Sequence, residues 1–391
     1  MAAVPRPPAG PRETPAAPRK FPSPGEVINI GPGPAGRWHK LHSTEAPRTP
    51  GASSGDVPAA PPPPEEGEAA QIDPGRLVLG ASVGTGGTAE VFHGHFDGQV
   101  VAIKQLFRHK KMNVKEEISF NREVRVLAAI THPNLVRFYG VAFKERPYRI
   151  VTEFCQGGTC FDLIHNGSFK LKWAQRLKMV SDTACGMDYL HSCMPQIIHR
   201  DLKSLNLLLE KEVASPVHVP VVKVSDFGLS RMRDPGASWG KMTSQVGTLH
   251  WMAPEVFAGQ DYDESVDVYS YAMVMFEALC QEVPFEDTDP GLIGQLTVKG
   301  VRPDLGRVPK DCPPMLLHLM VACWAHEAKA RPKFKLVIDR LAEAGADVSA
   351  ARNHQPCNRA SGKGSRPASA KDSEAFTSRS RAVGPYSSIS L

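Results

Sequence analysis

Along the centre of the chain, short apolar runs separated by turn residues come first, and apolar residues at helical spacing come second. Between residues 77 and 105 short apolar runs are separated by a glycine-rich turn and by Asp97-Gly98, a hairpin signal, which predicts strands joined by turns. After Gly157-Gly158 apolar residues recur at helical spacing. We therefore expect a small β-rich lobe, a larger helical lobe, and a ligand cleft between them. The other elements predicted for the first lobe are a helix over 115–130 with Phe120, Val124 and Leu127 on one face, and strands near 136–143 and 148–153.

The most apolar run, Val266 to Cys280, predicts a helix buried in the larger lobe. It is shorter than the roughly 20 residues that a membrane span needs, and it contains Asp267 and Glu277. The N-terminus lacks the apolar stretch of a secretory signal peptide. The eight cysteines form no C-x-x-C pair, so we expect reduced thiols and neither a disulfide framework nor a zinc site. These features favour a cytoplasmic protein without a membrane span.

The two ends of the chain differ from its centre in composition. Residues 1–71 contain 17 prolines and no apolar periodicity of useful length, so we expect a disordered arm. Its proline-rich pieces suit an SH3-type partner, and an inert solvated leader fits the same composition. Residues 350–391 are rich in Ser, Arg, Gly and Ala, which predicts a disordered basic tail. The folded domain is expected to span 72–349.

The formal net charge of +5 arises at the C-terminus. Residues 352–391 carry seven Lys or Arg against two Asp or Glu, and the rest of the chain balances. The expected folded domain therefore has no net positive charge, and nothing in the composition indicates a nucleic-acid partner.

Five motifs carry candidate chemistry. Residues 199–206 read H-R-D-L-K-S-L-N, a pattern typical of a phosphotransfer catalytic loop. Asp226-Phe227-Gly228 begins twenty residues after Asn206, and Ala253-Pro254-Glu255 follows it. Upstream, residues 84–91 read G-T-G-G-T-A-E-V, and a Val-Ala-Ile-Lys strand ends thirteen residues later at Lys104. A glycine-rich turn alone is a weak signal, but this spacing makes it a strong one.

With these motifs the chain resembles the eukaryotic protein kinases over roughly residues 75 to 343. Within them it is most similar to the tyrosine-kinase-like group of mixed-lineage and Raf-type relatives, through I-I-H-R-D-L-K-S-x-N, G-T-x-x-W-M-A-P-E and D-V-Y-S-Y. The resemblance implies an α+β, bilobal protein kinase fold. It also implies a signalling enzyme that uses ATP and Mg²⁺ to phosphorylate Ser or Thr hydroxyls of protein substrates.

The resemblance assigns roles in the catalytic loop. Asp201 is expected to accept the proton of the substrate hydroxyl, and Lys203 to neutralise charge on the transferring phosphoryl group. Asn206 and Asp226 are expected to hold Mg²⁺.

On the nucleotide side, Lys104 is expected to contact the α- and β-phosphates and to pair with Glu123. A lysine in an apolar strand needs a partner, because an unpaired buried charge is costly; a surface pair of little energetic value is the alternative. The Cys155 thiol is either reactive or, as we prefer, inert. The other residues expected against the nucleotide are Val83, Gly84, Gly86, Ala89, Val91, Ala102, Thr152, Glu153, Thr159 and Leu208, with Ala89 replacing the usual third glycine.

Several further residues resemble structural elements of the family. Glu255 and Arg331 are expected to form a buried ion pair, and Asp267 to brace the catalytic-loop backbone. The segment 210–220 is expected to be a loop insertion away from the chemistry. His199 and Phe227 are expected to pack with Leu127 and Phe138 in a stack that aligns the lobes.

Two alternatives to an active serine/threonine kinase are a pseudokinase scaffold and a tyrosine kinase. A pseudokinase scaffold would lack a motif residue, but Lys104, Asp201 and Asn206 are all present. A tyrosine kinase usually has A-A-R or R-A-A after H-R-D-L, which this chain lacks.

Arg200 is expected to bind a phosphate on Thr243 or Ser244, and a constitutively ordered segment is the alternative. Leu205 and Thr159 stand where basophilic relatives carry acidic residues, so no strong preference for an upstream arginine is expected.

Overall fold

A computed structural model of the chain describes residues 71–85, 89–107, 114–144, 146–165, 169–232 and 249–353. The predicted arm over 1–71 lies outside this part except for Gln71. The predicted tail over 350–391 also lies outside it, except that the last helix continues to Asn353. None of the helices in the described ranges is long and apolar enough to cross a membrane.

The small lobe is a five-stranded antiparallel sheet, in the order β1-β2-β3-β5-β4, with one long helix. Asp97 and Gly98 form the turn between β2 and β3 with φ angles of 48° and 79°, the left-handed geometry that a two-residue hairpin requires. On β3, Val101 and Ile103 are buried in the sheet core, and the alternate residues Ala102 and Lys104 line the cleft. The elements are β1 Leu77–Thr85, β2 Ala89–Phe96, β3 Gln99–Leu106, α1 Val114–Ala129, β4 Phe138–Ala142 and β5 Arg149–Glu153.

The large lobe is built around one helix, α5, that is buried along its length. Its residues from Ser265 to Leu279 are buried, which explains why the sequence there is apolar on every face. The prediction of a buried helix at this position is confirmed. The elements of the lobe are α2 Cys160–His165, α3 Trp173–Ser192, β6 Ile197–Ile198, β7 Leu207–Leu209, β8 Val222–Val224, β9 Arg231–Met232, α4 Pro254–Phe257, α5 Ser265–Cys280, α6 Pro290–Val298, α7 Pro314–Cys323 and α8 Phe334–Asn353.

Helix α1 packs against the small-lobe sheet through the face that the sequence predicted. Phe120, Val124 and Leu127 are all buried in the main hydrophobic core. Glu123 is also buried, and it points toward the cleft, where it meets Lys104. The helix therefore contributes both to the core and to the candidate site.

The insertion over 210–220 is a loop, as predicted, and it is attached at two points. Near its start, Gln156 N–H donates to the Glu210 carbonyl at 3.2 Å, which joins the loop to the segment connecting the lobes. Farther along, the Gln175 side chain on α3 donates to the carbonyls of Ser215 and His218 at 3.2 and 2.9 Å. Val217, which lies between the two carbonyls that Gln175 binds, is 77% exposed.

Candidate active site

The catalytic-loop backbone is held by a carboxylate of the buried helix α5. Asp267 accepts hydrogen bonds from the N–H groups of His199 and Arg200, both at 2.8 Å, and its Oδ2 lies 2.9 Å from His191 Nε2. Burial alone would raise the pKa of Asp267, but the hydrogen bond and positive charge of His191, with His199 and the Arg200 N–H, hold it below its usual value. Arg200 takes a φ of 71°, so this bracing also fixes an unfavourable backbone conformation. The predicted role of Asp267 is confirmed.

Asp201, Lys203 and Asn206 form one buried cluster within that loop. Asp201 Oδ2 accepts hydrogen bonds from Lys203 Nζ at 2.9 Å and from Asn206 Nδ2 at 3.0 Å. Asn206 Nδ2 also donates to the Asp201 carbonyl at 2.8 Å. Asp201 Oδ1 and Asn206 Oδ1 are buried and have no hydrogen-bond partner in the part of the chain that the structure describes. Two oxygens therefore remain available for groups that the described residues do not supply.

Lys104 connects the small lobe to the D-F-G segment. Its Nζ lies 2.8 Å from Glu123 Oε1 and 3.6 Å from Asp226 Oδ1. Burial alone would lower the pKa of Lys104, but these two carboxylates outweigh it and raise the pKa well above its usual value. The pKa of Asp226 is lowered, because the charges of Lys104 and Lys203 outweigh its burial. The predicted pairing of Lys104 with Glu123 is confirmed.

A contact that sequence reasoning did not find joins α1 to the same segment. Ser119 Oγ donates to the Gly228 carbonyl at 3.0 Å, one helical turn before Glu123. Helix α1 thus contacts the D-F-G segment directly, in addition to the route through Lys104. A serine on the polar side of an amphipathic helix gives no sequence signal of such a bond.

One cavity of about 330 Å³ between the lobes is lined by most of the residues that were predicted to contact the nucleotide. Gly84 and Ala89 lie on β1 and β2 and do not line this cavity, and Gly86 lies outside the described residues. The predicted residues that line the cavity are Val83, Val91, Ala102, Lys104, Glu123, Thr152, Glu153, Cys155, Thr159, Leu208 and Asp226. Lining residues that were not predicted for the nucleotide include Val136, Ile150, Phe154, Gln156, Gly158, Asp162 and Ser225.

The segment connecting the lobes is held by a lysine of the large lobe. Lys223 Nζ on β8 lies 3.0 Å from Glu153 Oε1 and donates to the Pro133 carbonyl at 3.1 Å. Next to this link, burial raises the pKa of the Cys155 thiol to about 12, with Glu153 adding to the effect. A thiol with this pKa is almost entirely protonated near neutral pH, which supports an inert Cys155.

Two predicted structural features are present. The rings of His199 and Phe227 lie 5.4 Å apart in an edge-on arrangement, and Phe227 and Leu127 belong to the main core, against which Phe138 packs. Arg331 contacts both oxygens of Glu255, at 2.6 and 2.8 Å, as predicted. The large lobe therefore has a fixed ion pair under the end of the activation segment.

Three arginines converge where β9 meets the catalytic loop. The pKa of Arg200 is lowered to about 10, chiefly by burial and also by the charges of Arg231 and Arg122, while Tyr262 and Asp267 oppose the shift. The guanidinium of Arg200 lies over the Tyr262 ring at 5.6 Å. The predicted phosphate acceptors, Thr243 and Ser244, lie outside the described residues.

Comparison with known proteins gives a consistent result. A family model described as protein tyrosine and serine/threonine kinase matches residues 77–341. The chain is 37% identical over 267 residues to a probable serine/threonine-protein kinase, SIS8, of Arabidopsis thaliana, covering 68% of this chain and 25% of that protein. It is 35% identical over 287 residues to serine/threonine-protein kinase STY17 of the same plant, covering 73% and 47%. It is 34% identical over 273 residues to a probable serine/threonine-protein kinase, drkA, of Dictyostelium discoideum, covering 69% and 40%. The chain thus spans less than half the length of each of these relatives.

Proposed function

Because the chain belongs to the protein tyrosine and serine/threonine kinase family, we propose that it transfers the γ-phosphoryl group of ATP to serine or threonine hydroxyls of proteins. The observation that carries the proposal is the environment of Asp201. One of its oxygens is engaged by Lys203 and Asn206, and the other is buried without a partner among the described residues. A substrate hydroxyl donating to Asp201 Oδ1 would satisfy that oxygen.

Different residues of the chain accept the proton and neutralise the negative charge. Asp201 orients the hydroxyl oxygen and accepts its proton as that oxygen bonds to the γ-phosphorus and the bond from this phosphorus to the β,γ-bridging oxygen breaks, so that ADP leaves. Lys203 Nζ, held 2.9 Å from Asp201 Oδ2, neutralises charge on the transferring group. Lys104, kept protonated by Glu123 and Asp226, contacts the α- and β-phosphates. Each group has a partner that holds it in place before substrate arrives.

The oxygen donors at the site fit a divalent cation, which we propose to be Mg²⁺. Asn206 Oδ1 is buried without a partner in the described ranges, and Asp226 offers a carboxylate whose pKa is lowered. Such oxygens suit Mg²⁺, which when bound neutralises charge on the β- and γ-phosphates. No group of three or more His, Cys, Asp or Glu side chains in the described part of the chain could hold a metal ion. Phosphate oxygens and water would therefore complete the coordination.

The cavity supports adenine binding at the connecting segment. Val91 and Ala102 line it from the small lobe and Leu208 lines it from the large lobe, which leaves room for a flat apolar ring between them. Glu153 N–H is already bonded to the Arg137 carbonyl at 2.9 Å, so the adenine contacts are expected from the Glu153 carbonyl and the Cys155 backbone.

The Asp201→Asn variant tests the proposal. The substitution is nearly isosteric, so the free energy of unfolding should change little, whereas phosphoryl transfer to a generic protein substrate should fall on the order of 10²–10⁴-fold. Transfer from radiolabelled ATP, followed by identification of the phosphorylated amino acid, measures both points. Near-wild-type turnover would contradict the role of Asp201. Wild-type protein that transfers nothing would favour the pseudokinase reading, and phosphotyrosine as the main product would favour the tyrosine kinase.

Regulation by phosphorylation of the activation segment is part of the proposal. Arg122, Arg200 and Arg231 provide concentrated positive charge, and a phosphate brings about −1.5 to −2 charges that would relieve their repulsion. Thr243→Ala/Ser244→Ala protein should then resemble phosphatase-treated wild type, with low activity that Mg-ATP incubation does not raise. A double variant as active as autophosphorylated wild type would place the switch elsewhere.

We also propose a substrate without an upstream arginine requirement, an SH3-type partner for the proline-rich arm, and a cytoplasmic location. Leu205 and Thr159 offer no carboxylate to a substrate arginine, and a degenerate peptide library tests this.

The arm over 1–71 and the tail over 350–391 should be removable without loss of activity on a peptide. Binding of the isolated arm to an SH3 panel and fractionation of cells test the partner and the location.

A further inference from the structure

Strand β4 is the last strand of the small-lobe sheet, and the chain touches its outer edge before β1 begins. Gln71 forms a parallel bridge with Val141, and the Ile72 N–H donates to the Val141 carbonyl at 2.9 Å. The Ile72 side chain is 2% exposed and belongs to the same sheet core as Ala142 of β4. The edge of a sheet presents N–H and C=O groups that can accept a further strand. Ile72 therefore fixes the place where the chain meets this edge.

The edge of β4 continues past this contact in the direction of the residues that precede Gln71. Because the bridge is parallel, a chain that extends from Gln71 toward the N-terminus runs from Val141 toward Tyr139. The register between β4 and β5 shifts between Phe138 and Gly140, and within these two described strands no residue of β5 is aligned with Tyr139. The period of two along a strand places the backbone of Tyr139 on the same edge as that of Val141. Tyr139 is therefore the next pairing position on this edge.

Arg137 gives this end of the edge a positive charge. It is exposed, and its guanidinium lies over the Tyr139 ring at 5.4 Å from the centroid. The Glu153 carboxylate on β5 is already bound by Lys223 Nζ at 3.0 Å and by the backbone N–H of Arg137 at 2.7 Å. A guanidinium that stacks on a ring still presents N–H groups at its rim to carboxylates. This end of the edge therefore fits an acidic strand.

The chain carries such a segment directly before Gln71. Residues 65–70 read E-E-G-E-A-A, and they follow the Pro61–Pro64 run. Pro74 stands on the other side of Gln71. Proline has no N–H to donate to a sheet, so a strand in this region is confined to the residues between the two prolines. Glu, Gly and Ala have low β propensity, so such a strand depends on the edge that it joins.

The alternation of side chains along this segment matches the charge on β4. Ile72 belongs to one core cluster of the sheet, and the Tyr139 ring packs against the same cluster. Alternate residues of a strand share a face, so in an extended segment Glu66 and Glu68 would lie on the face of Ile72. That face carries the Tyr139 ring and the Arg137 guanidinium stacked on it. Pairing would bring two carboxylates to one guanidinium.

We propose that the β4 edge is a docking surface for the acidic segment 65–70 of the same chain, which adds to the sheet as a parallel strand and binds Arg137 through Glu66 and Glu68. The docked segment holds the Pro61–Pro64 run beside the small lobe. The inference does not depend on the proposed phosphoryl transfer, because the segment contributes no group to the chemistry. An arm that docks in this way is still removable without loss of activity on a peptide.

Hydrogen exchange of the full-length protein, resolved residue by residue, tests the docking. The Ile72 N–H points at β4, so the alternate residues Ala70 and Glu68 direct their N–H groups at β4 as well. The N–H groups of Gly67 and Ala69 then point to solvent. Amides of the first pair should exchange about three- to tenfold more slowly than in the corresponding free peptide, and those of the second pair at the peptide rate. Peptide-like exchange at all four positions would overturn the proposal.

Two proline substitutions form a matched pair. Ala70→Pro removes an N–H that is directed at β4, whereas Ala69→Pro removes one that is directed at solvent, and both stiffen the chain similarly. The Glu68 amide should lose its protection in Ala70→Pro and keep it in Ala69→Pro. Loss in both variants, or in neither, would overturn the pairing of this segment with β4.

Charge reversal tests the contact with Arg137. In Arg137→Glu the Ala70 amide should exchange at the peptide rate, and Glu66→Lys/Glu68→Lys in the same protein should restore the protection. Lys144→Glu is the control, because Lys144 is also exposed and basic but lies beyond the other end of β4. Full protection in Arg137→Glu, or equal loss in Lys144→Glu, would overturn the proposal.

A second copy of the chain is the other source of an acidic strand for this edge. Protection that rises with protein concentration would show that the strand comes from a second copy, and the proposal would fail. Protection that is independent of concentration is expected. The readout needs no catalysis, so wild-type protein that phosphorylates no substrate would refute the proposed function and leave the exchange result to judge the docking.

Discussion

Each lobe contains a glutamate paired with a basic side chain, and the two pairs are built differently. In the cleft, Lys104 makes one contact with Glu123 at 2.8 Å, and its side chain is 27% exposed. In the large lobe, Arg331 contacts both oxygens of Glu255, and its side chain is fully buried. Arg331 also donates to the carbonyls of Ala325, Ser265 and His326.

The difference shows which pair is available for chemistry. A planar guanidinium with every direction occupied holds one geometry, which suits an anchor for the activation segment. An ammonium group with a second carboxylate 3.6 Å away is a point charge that can bind a further anion without losing its partner. The pair of Lys104 and Glu123 is therefore suited to binding phosphates, whereas the pair of Arg331 and Glu255 is suited only to stabilising the folded large lobe.

The largest effect is expected from breaking the large-lobe pair. Arg331→Met leaves the buried Glu255 without its partner, so the free energy of unfolding should fall by about 3–5 kcal/mol. Urea unfolding measures the loss, and Arg307→Met is the control, because Arg307 pairs with Glu282 on the exposed surface and should matter little. Equal losses in the two variants would show that the buried pair is not an anchor.

Breaking the cleft pair should separate activity from stability. Lys104→Met should reduce phosphoryl transfer by about 10²–10³-fold, since it removes a preorganised charge from the phosphates. It should destabilise less than Arg331→Met, because water reaches the partly exposed site of Lys104. Thermal unfolding and initial rates at saturating ATP measure the two quantities. The distinction between the lobes fails if Lys104→Met unfolds the protein as strongly as Arg331→Met does.

A smaller effect is expected at the second link between α1 and the D-F-G segment. Ser119→Ala removes the hydrogen bond to the Gly228 carbonyl and should lower kcat about two- to tenfold. Ser119→Thr keeps the hydroxyl group and serves as the control. If both variants behave like wild type, the hydrogen bond from Ser119 does not contribute to catalysis.

The smallest effect concerns the thiol at the connecting segment. With a pKa of about 12 for Cys155, its thiolate fraction at pH 8 is on the order of 10⁻⁴. Alkylation by iodoacetamide, followed peptide by peptide with mass spectrometry, should stay slow up to pH 9, as at the fully buried Cys323. Rapid labelling of Cys155 and slow labelling of Cys323 would mean that water enters this side of the cleft more freely than it enters the core.

Residues with a fixed spacing and a fixed chemical task were predictable from the sequence. The pairing of Lys104 with Glu123 followed from the cost of an unpaired lysine in an apolar strand, and the structure contains it. The buried helix α5 followed from its long, mainly apolar run, and its bounds differ from the prediction by one residue. The predicted nucleotide contacts of Gly84, Gly86 and Ala89 stay predictions.

Contacts between side chains from distant stretches were not predictable in the same way. Glu277 was noticed only as a charge that argues against a membrane span, although a charge in a buried helix must have partners. Its partners Ser204 and Trp251 lie 73 and 26 residues away, and no local pattern connects them. The bond from Ser119 to Gly228 spans 109 residues, and only the packing of α1 brings the two groups together.

The insertion over 210–220 gives the molecule a natural place for a reporter. Its start is hydrogen-bonded to Gln156 in the segment between the lobes, and its middle is tied to α3 by Gln175, while Val217 projects into solvent. A fluorescent dye attached at position 217 would be fixed to the large lobe on both sides, because Gln175 binds the carbonyls of Ser215 and His218. Position 217 lines no part of the cleft cavity, so the dye could serve as a reference point for real-time distance measurements against a second dye in the small lobe during turnover.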